Sequence, residues 1–452
     1  MKSTRIVLLG LGLTSVMSAS SFGSGFEKAI GWSGKHSGKA GAAVADATGA
    51  EALYFNPAGL ADTGENGDLS LNFSPTFGKF TGPTYRSNVS VEGKRTFSPV
   101  ASAIGSVRMS KDWGLGLGFY AAGGNSNQFD NLGFSNLNAV GSTFPTRSYP
   151  NMVGQTKTDL KVTEFSAGVG GQLTPNFRVG AAWRLVNVSA DMAFLSETNL
   201  GGDSVLLNLQ AKGLTAQAAD AFRLGAQYES TDKSWGLGAM YRSEVFFRAQ
   251  GKSGGQREFR TGGTRATAGF SGVAQMTEGN VQIQSTFPQQ LNVGGFYGDV
   301  GKWKVLGEYS WTQYSVNDIL DVSGEVGVPN LLGTIATVSN SLNTADLELK
   351  WNDQHLYRLG FEKYCEDNLT LRAGFAYTTI VTPDFRAKQT FSTPGAVKAV
   401  SLGAGKTFGS WDHNLAGEYT WVSATGSNVL DSTEGTFSSN AYTFHWGSTY
   451  RF

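Results

Sequence analysis

Four histidines and a single cysteine are the side chains best suited to reactive chemistry: His36, His355, His413, His445 and Cys365. Hydrolysis needs a positioned base, and histidine is the commonest. No two of these histidines form a His-x-x-x-His metal pair, and no serine is read as the tip of a nucleophile elbow. A lone cysteine cannot form an intramolecular disulfide. Cys365 sits beside a turn signal and reads as an unpaired turn residue. The chain is therefore not expected to be an enzyme, and neither a metal nor an organic cofactor is expected. The remaining charged candidates are Arg242, Glu244, Arg358 and Arg372. What they do depends on which face of their elements they occupy.

Those elements are strands. The chain has 452 residues, 36 basic and 36 acidic side chains, 60 glycines and only 40% hydrophobic residues. A balanced charge lacks the basic footprint of nucleic-acid binding. After the first 25 residues no apolar run approaches the roughly 18 to 20 residues of a membrane helix. Lys2, Arg5, the apolar stretch Ile6 to Met17 and the small residues Ser18 to Gly23 read as a secretory signal, residues 1–23.

Beyond it, strand periodicity recurs throughout. Tyr442, Phe444, Trp446, Tyr450 and Phe452 share one parity, and Thr443, His445, Gly447, Thr449 and Arg451 share the other. Trp113, Leu115, Leu117 and Phe119 alternate with Gly114, Gly116 and Gly118. Similar runs start at Phe177, Trp303 and Leu369, and in each the charges lie opposite the aromatics. This is the pattern of a membrane barrel, apolar outside and polar or small inside. Arg242, Glu244, Arg358 and Arg372 are then expected to face the lumen, where they pair across it or hold its contents.

Six short turns are read at 110–112, 174–176, 231–234, 299–301, 366–368 and 409–410. Aromatics follow five of them, as in a periplasmic girdle. Long connections are read between them, at 123–157, 196–213 and 316–343. One strand from Asp68, twelve from the hairpins and one ending at Phe452 make fourteen. The fold class is all-β: a 14-stranded antiparallel transmembrane β-barrel, residues 68–452, in the cell outer membrane of a Gram-negative bacterium. Residues 24–67 are Gly/Ala-rich and precede it. They read as a leader or as a plug folded into a bore wide enough to need one.

At this point the chain resembles the FadL/TodX-type outer-membrane transporters of fatty acids and other hydrophobic compounds. The resemblance rests on Asn56-Pro57-Ala58, on Ser24-Gly25-Phe26, on Gly34 to Asp46, on Tyr241 to Val245, and on Tyr357-Arg358 with Asn368 to Gly374. It implies a hatch carrying Asn56, Pro57 and Ala58 against a kinked third strand, and sideways release of cargo into the membrane. Ala101, Ala121, Gly123 and Gly124 are the expected opening. Phe129, Leu132, Phe134, Leu137, Leu195, Leu200 and Leu206, read as lying in outer loops, are the expected capture residues. Asn352 stands where the family often has a lysine suited to a carboxylate. The cargo is thus a long-chain fatty acid, or a neutral or aromatic hydrocarbon. A general diffusion porin is the alternative. A terminal aromatic, Phe452, resembles the signal presented to the barrel assembly machinery. A monomer in contact with outer-membrane lipid is expected.

Overall fold

A computed structural model describes residues 25–26, 31–137, 147–200, 203–263, 272–324, 327–329, 335–337, 348–388 and 393–452. The expected signal segment, 1–23, lies outside the described residues. None of the described helices is long and apolar enough to cross a membrane.

The alternating runs form fourteen antiparallel wall strands. They are β1 (Gly67–Pro83), β2 (Thr96–Arg108), β3 (Trp113–Leu137), β4 (Arg147–Thr174), β5 (Phe177–Leu200), β6 (Asp203–Glu229), β7 (Trp235–Arg242 and Val245–Phe259) and β8 (Gly279–Phe287 and Gln290–Asp299). The ring continues with β9 (Trp303–Thr312 and Asp321–Gly324), β10 (Gln354–Tyr364), β11 (Leu369–Thr378), β12 (Val397–Phe408), β13 (Trp411–Asn428) and β14 (Thr433–Arg451). β14 pairs with β1 from Asp68↔Arg451 to Thr81↔Ser438, which closes the cylinder. Closure pairs the strand edges that a bilayer could not solvate.

Side-chain period 2 sorts the faces. In β14, Tyr442, Phe444 and Trp446 are exposed, while Thr443 and His445 are buried in the lumen. The six short turns connect the strands where the residue types place them. Trp113, Trp235, Trp303 and Trp411 stand exposed at that rim.

The long connections are shorter than expected. β3 runs on to Leu137 and β4 starts at Arg147, while β5 and β6 are separated only by residues 201–202. Strands that outrun the membrane still have each other as hydrogen-bond partners, so they continue as ribbons. Of the expected loop at 316–343, residues 321–324 are wall strand, and 327–329 pair with 335–337.

Three adjacent strands break at neighbouring positions: β7 at Ser243 and Glu244, β8 at Pro288 and Gln289, and β9 between Thr312 and Asp321. Pro288 cannot donate to the ladder. In β7 and β8 the break also exchanges faces, as any one-residue shift in a strand must. On the short-turn side the inward residues are Met240, Arg242, Gln290, Asn292, Ser310 and Thr312. On the far side they are Val245, Phe247, Ala249, Val281, Ile283 and Phe287. The lumen thus has a polar lower storey and an apolar upper one.

Candidate functional site

The lower storey is filled by the hatch. Residues 31–66 form two single-turn helices, α1 (Gly34–Ser37) and α2 (Ala52–Phe55), and a 3-10 turn, Pro57–Asp62. Ser33 caps α1 by accepting from the His36 amide at 3.2 Å. Asn56 caps the 3-10 turn by accepting from the Ala58 amide at 3.2 Å, and Pro57 supplies a preset φ at its first position.

The Asn56 side-chain amide also reaches the wall. It donates to Val44 O at 2.7 Å within the hatch, to Ala226 O of β6 at 3.0 Å and to Ala239 O of β7 at 3.2 Å. The wall makes room with glycine. A Cβ on Gly225 would lie 1.9 Å from Asn56 Oδ1, one on Gly180 2.3 Å from the Pro57 carbonyl, and one on Gly114 2.1 Å from Leu60 O. The inward glycines of β3 to β6 are therefore the hatch's footprint.

Charges fasten the opposite side. Glu308 Oε2 accepts the amides of Ala43 and Val44 at 2.8 and 2.9 Å, and its Oε1 accepts from Arg358 at 2.8 Å. Lys39 Nζ lies 2.6 Å from Asp46 and 4.0 Å from Glu362, which Arg372 holds at 2.7 Å. Burial pulls the Lys39 ammonium down from its ordinary range, and Asp46 opposes this. Burial, then the nearby Lys39 and Lys35 charges, hold the His36 imidazole well below its usual range. Arg242 donates to Pro288 O at 3.3 Å, beside the β8 break.

Arg242, Arg358 and Arg372 thus face the lumen, but Glu244 does not. It is exposed and shares the outward parity of Phe246 and Arg248. The break at Ser243 and Glu244 moved it to the other face, a shift invisible to simple alternation.

The seam lies between β2 and β3. Their ladder runs from Arg108↔Gly114 to Ser102↔Tyr120 and stops. Ala101 and Ala121 would form the next rung. Beyond it β2 pairs only with β1, and β3 only with β4. The chain just before β2 meets β3 again where Lys94 N donates to Gln128 O at 2.7 Å. At the near end of the gap β3 bulges at Ala122, between Ala121 and Gly123, and Gly124 takes φ +153°. Few residues but glycine adopt that conformation. A cavity opens onto this gap, lined by Trp32, Tyr54, Phe55, Val100, Ala121 and Gly123 on one side and by Arg242, Asn292 and Glu308 on the other.

The first described residues seal it from above. Phe26 O accepts from Gly124 N at 2.8 Å, and Phe26 N donates to the Tyr314 hydroxyl at 2.9 Å. Its ring packs against Phe287, Tyr314 and Trp351, at centroid distances of 5.0 to 6.1 Å. Asn352, next to Trp351, is exposed, and its backbone N–H donates to Val381 O at 2.8 Å.

The expected capture residues are not in loops. Phe129, Leu132, Phe134 and Leu137 lie on β3, Leu195 and Leu200 on β5, and Leu206 on β6. All but Leu200, whose side chain is not described, are buried in one cluster with Phe80, Tyr149 and Met152. Above them Glu197 holds Arg147 at 2.8 Å, the Tyr149 hydroxyl at 2.5 Å, and Arg86.

Some site residues carried no sequence signal. The Tyr120 hydroxyl bonds Glu164 at 2.5 Å, and Arg223 donates to Tyr120 at 3.0 Å and to Leu53 O of the hatch at 3.1 Å. Ser74 lies 2.9 Å from His445, which lies 3.0 Å from Glu418. This looks like a hydrolytic triad, but the Ser74 hydroxyl donates to Trp32 O at 2.6 Å and fastens the hatch. One serine does have the spacing of an elbow, Ser253 in Gly251 to Gly255. It lies within β7, with no helix following, and so does not form one.

A family model described as "Outer membrane protein transport protein (OMPP1/FadL/TodX)" matches residues 13–452. The chain belongs to the FadL/TodX family. Its members are Gram-negative outer-membrane barrel proteins, and as a class they are transport channels rather than enzymes. The P. putida toluene transporter TodX superposes with a TM-score of 0.70 at 17% identity, over 94% of this chain and 99% of its own. A Pseudomonas aeruginosa FadL homologue gives 0.65 at 16%, over 96% and 100%. The Ralstonia pickettii toluene transporter TbuX gives 0.65 at 18%, over 94% and 99%. Identities this low attest the shared fold. No curated protein matches the sequence.

Proposed function

We propose that this FadL/TodX-family protein carries long-chain fatty acids or similar hydrophobic compounds inward, and releases them through the β2–β3 seam into the membrane as the hatch shifts. The carrying observation is the interrupted ladder at Ala101 and Ala121, which opens directly onto the cavity between hatch and wall. A hydrophobic chain crossing water forfeits about 0.8 kcal/mol per exposed methylene. A path from an apolar storey to a gap in the wall spares it that cost. A bore filled by the hatch does not suit a general diffusion porin. Entry would loosen the buried cluster around Phe129 and Phe134, and passage would displace the ring of Phe26 from Phe287 and Trp351.

A neutral or aromatic hydrocarbon is the second reading of the cargo. Asn352 offers no cation for a carboxylate, and TodX and TbuX are toluene transporters by name.

The test closes the seam reversibly. Ala101→Cys and Ala121→Cys, in a Cys365→Ser background, place two thiols across the first missing rung. Oxidation should stop uptake of a labelled fatty acid or of toluene by cells, and reduction should restore it. Full uptake through the oxidised, cross-linked protein would remove the sideways route.

A further inference from the structure

The wall is thinnest where it touches the hatch. The inward positions of β3, β4 and β5 at that level are the small residues Gly116, Gly168 and Ala182. A Cβ on Gly116 would come within 2.8 Å of Leu60, and one on Gly168 within 2.7 Å of Leu53. With no larger side chain between them, the wall backbone itself meets the hatch. The outer surface is hollowed to match. A trough of about 950 Å³ opens on the lipid side of β1 to β6, over the backbone of Gly116 and Gly168. Gly105, Ala167 and Ala181 form its floor, and Leu117, Trp183 and Phe222 its flanks. That volume is in the range of small-molecule pockets, about 300–1,000 Å³. The ladders beneath it are intact, with Gly105↔Leu117 and Val169↔Leu115 both paired. The trough is thus separate from the seam and from the inner cavity.

We propose that this trough binds one acyl chain of a membrane phospholipid, whose headgroup sits at the short-turn rim. Three observations select that occupant. The trough is continuous with the exposed apolar belt that faces lipid, from Leu69 to Trp183. Its floor is of small residues between large flanking ones, which lets a flexible chain lie in contact on three sides and gain dispersion contacts that a flat wall does not offer. It ends at Phe452, and at that rim the exposed Lys111, in the turn between β2 and β3, stands ready for a phosphate. The inference needs the barrel and its place in the membrane, and is independent of the cargo.

Photolabelling of the full-length protein tests it. The protein is placed in nanodiscs of phosphatidylethanolamine and phosphatidylglycerol containing a trace of phosphatidylglycerol with a diazirine-tailed chain. After irradiation, peptides covering Gly105 to Leu117 and Ala167 to Trp183 should carry at least fivefold more label than Tyr357 to Phe361 of β10, on the opposite wall. Ala167→Leu with Ala181→Leu should bring them down to the level of that wall, whereas Gly307→Leu on β9 should change nothing. Even labelling around the barrel, or labelling unchanged when the trough is filled, would overturn the proposal. Displacement of the label by a free fatty acid but not by unlabelled phosphatidylglycerol would also overturn it, by assigning the trough to cargo.

Discussion

The carbonyl oxygen of Phe26 accepts the amide hydrogen of Gly124 at 2.8 Å, so the start of the described chain is pinned to the bend in β3. The Phe26 ring, 5.0 Å from that of Trp351, also occupies the apolar upper storey. One residue therefore sits both in the upper storey and against the bend of β3 beside the seam. Phe26→Ala removes three aromatic contacts, and buried Phe→Ala changes cost about 3–5 kcal/mol. The loss should fall on local docking. Limited proteolysis or hydrogen exchange near residue 26 should accelerate at least tenfold, with the melting temperature of the barrel unchanged. A protection pattern like that of the unaltered chain would show that the ring does not hold this segment.

Ala101 and Ala121 flank the gap without filling it. Ala101→Glu or Ala121→Arg should reduce uptake of a hydrophobic substrate to the level of cells lacking the protein. Heat-modifiable mobility on gels should still report a folded barrel. Normal uptake in both variants would exclude the seam as the exit.

The hatch depends on a few close approaches. Gly180→Val puts a side chain where the Pro57 carbonyl stands. Asn56→Ala removes the three hydrogen bonds that tie this turn to Val44, Ala226 and Ala239, each worth about 0.5–1.5 kcal/mol. Both should loosen the hatch inside an intact wall. Planar-bilayer recordings should show frequent long openings in these variants and brief, rare ones in the parent. Equal traces would mean that the hatch is held elsewhere.

Acid should loosen the hatch as well. His36 is buried and held neutral, with its folded pKa below the ordinary value of about 6.5. Glu51 lies 3.4 Å away, but it already accepts from Ser33, Ser70 and Asn72. The unfolded or undocked ring takes up a proton first as pH falls. Docking is therefore fully favoured above about 6.5 and weakens below it, toward the lowered folded value. Proteolysis of the hatch should quicken between pH 7.5 and 5, and His36→Gln should flatten that dependence. The same pH response in His36→Gln would assign it to another group.

Much of this architecture was legible because period-2 alternation is written locally. Tyr442 to Phe452 shows its two faces without reference to any other strand, and tight turns announce themselves by Asp, Asn and Gly. The extended ribbons were not legible. Whether Phe129 and Leu206 lie in a loop or on a strand depends on a partner strand far away in sequence. Glu244 was misplaced for a related reason: nothing at Ser243 signals that the face will change there, because the neighbouring break at Pro288 sets it. Asn56 was found through resemblance, and its bonds to Ala226 and Ala239 have no local signature. Tyr120, Glu164 and Arg223 were missed because they converge from three strands.

The glycine rows have one more implication. Gly114, Gly180 and Gly225 are cut to the outline of Leu60, Pro57 and Asn56, atom against atom. Hatch and cylinder are therefore a matched casting and its mould, not interchangeable parts. A chimera that takes its first 66 residues from a distant relative should seat poorly until the facing glycines are exchanged along with them.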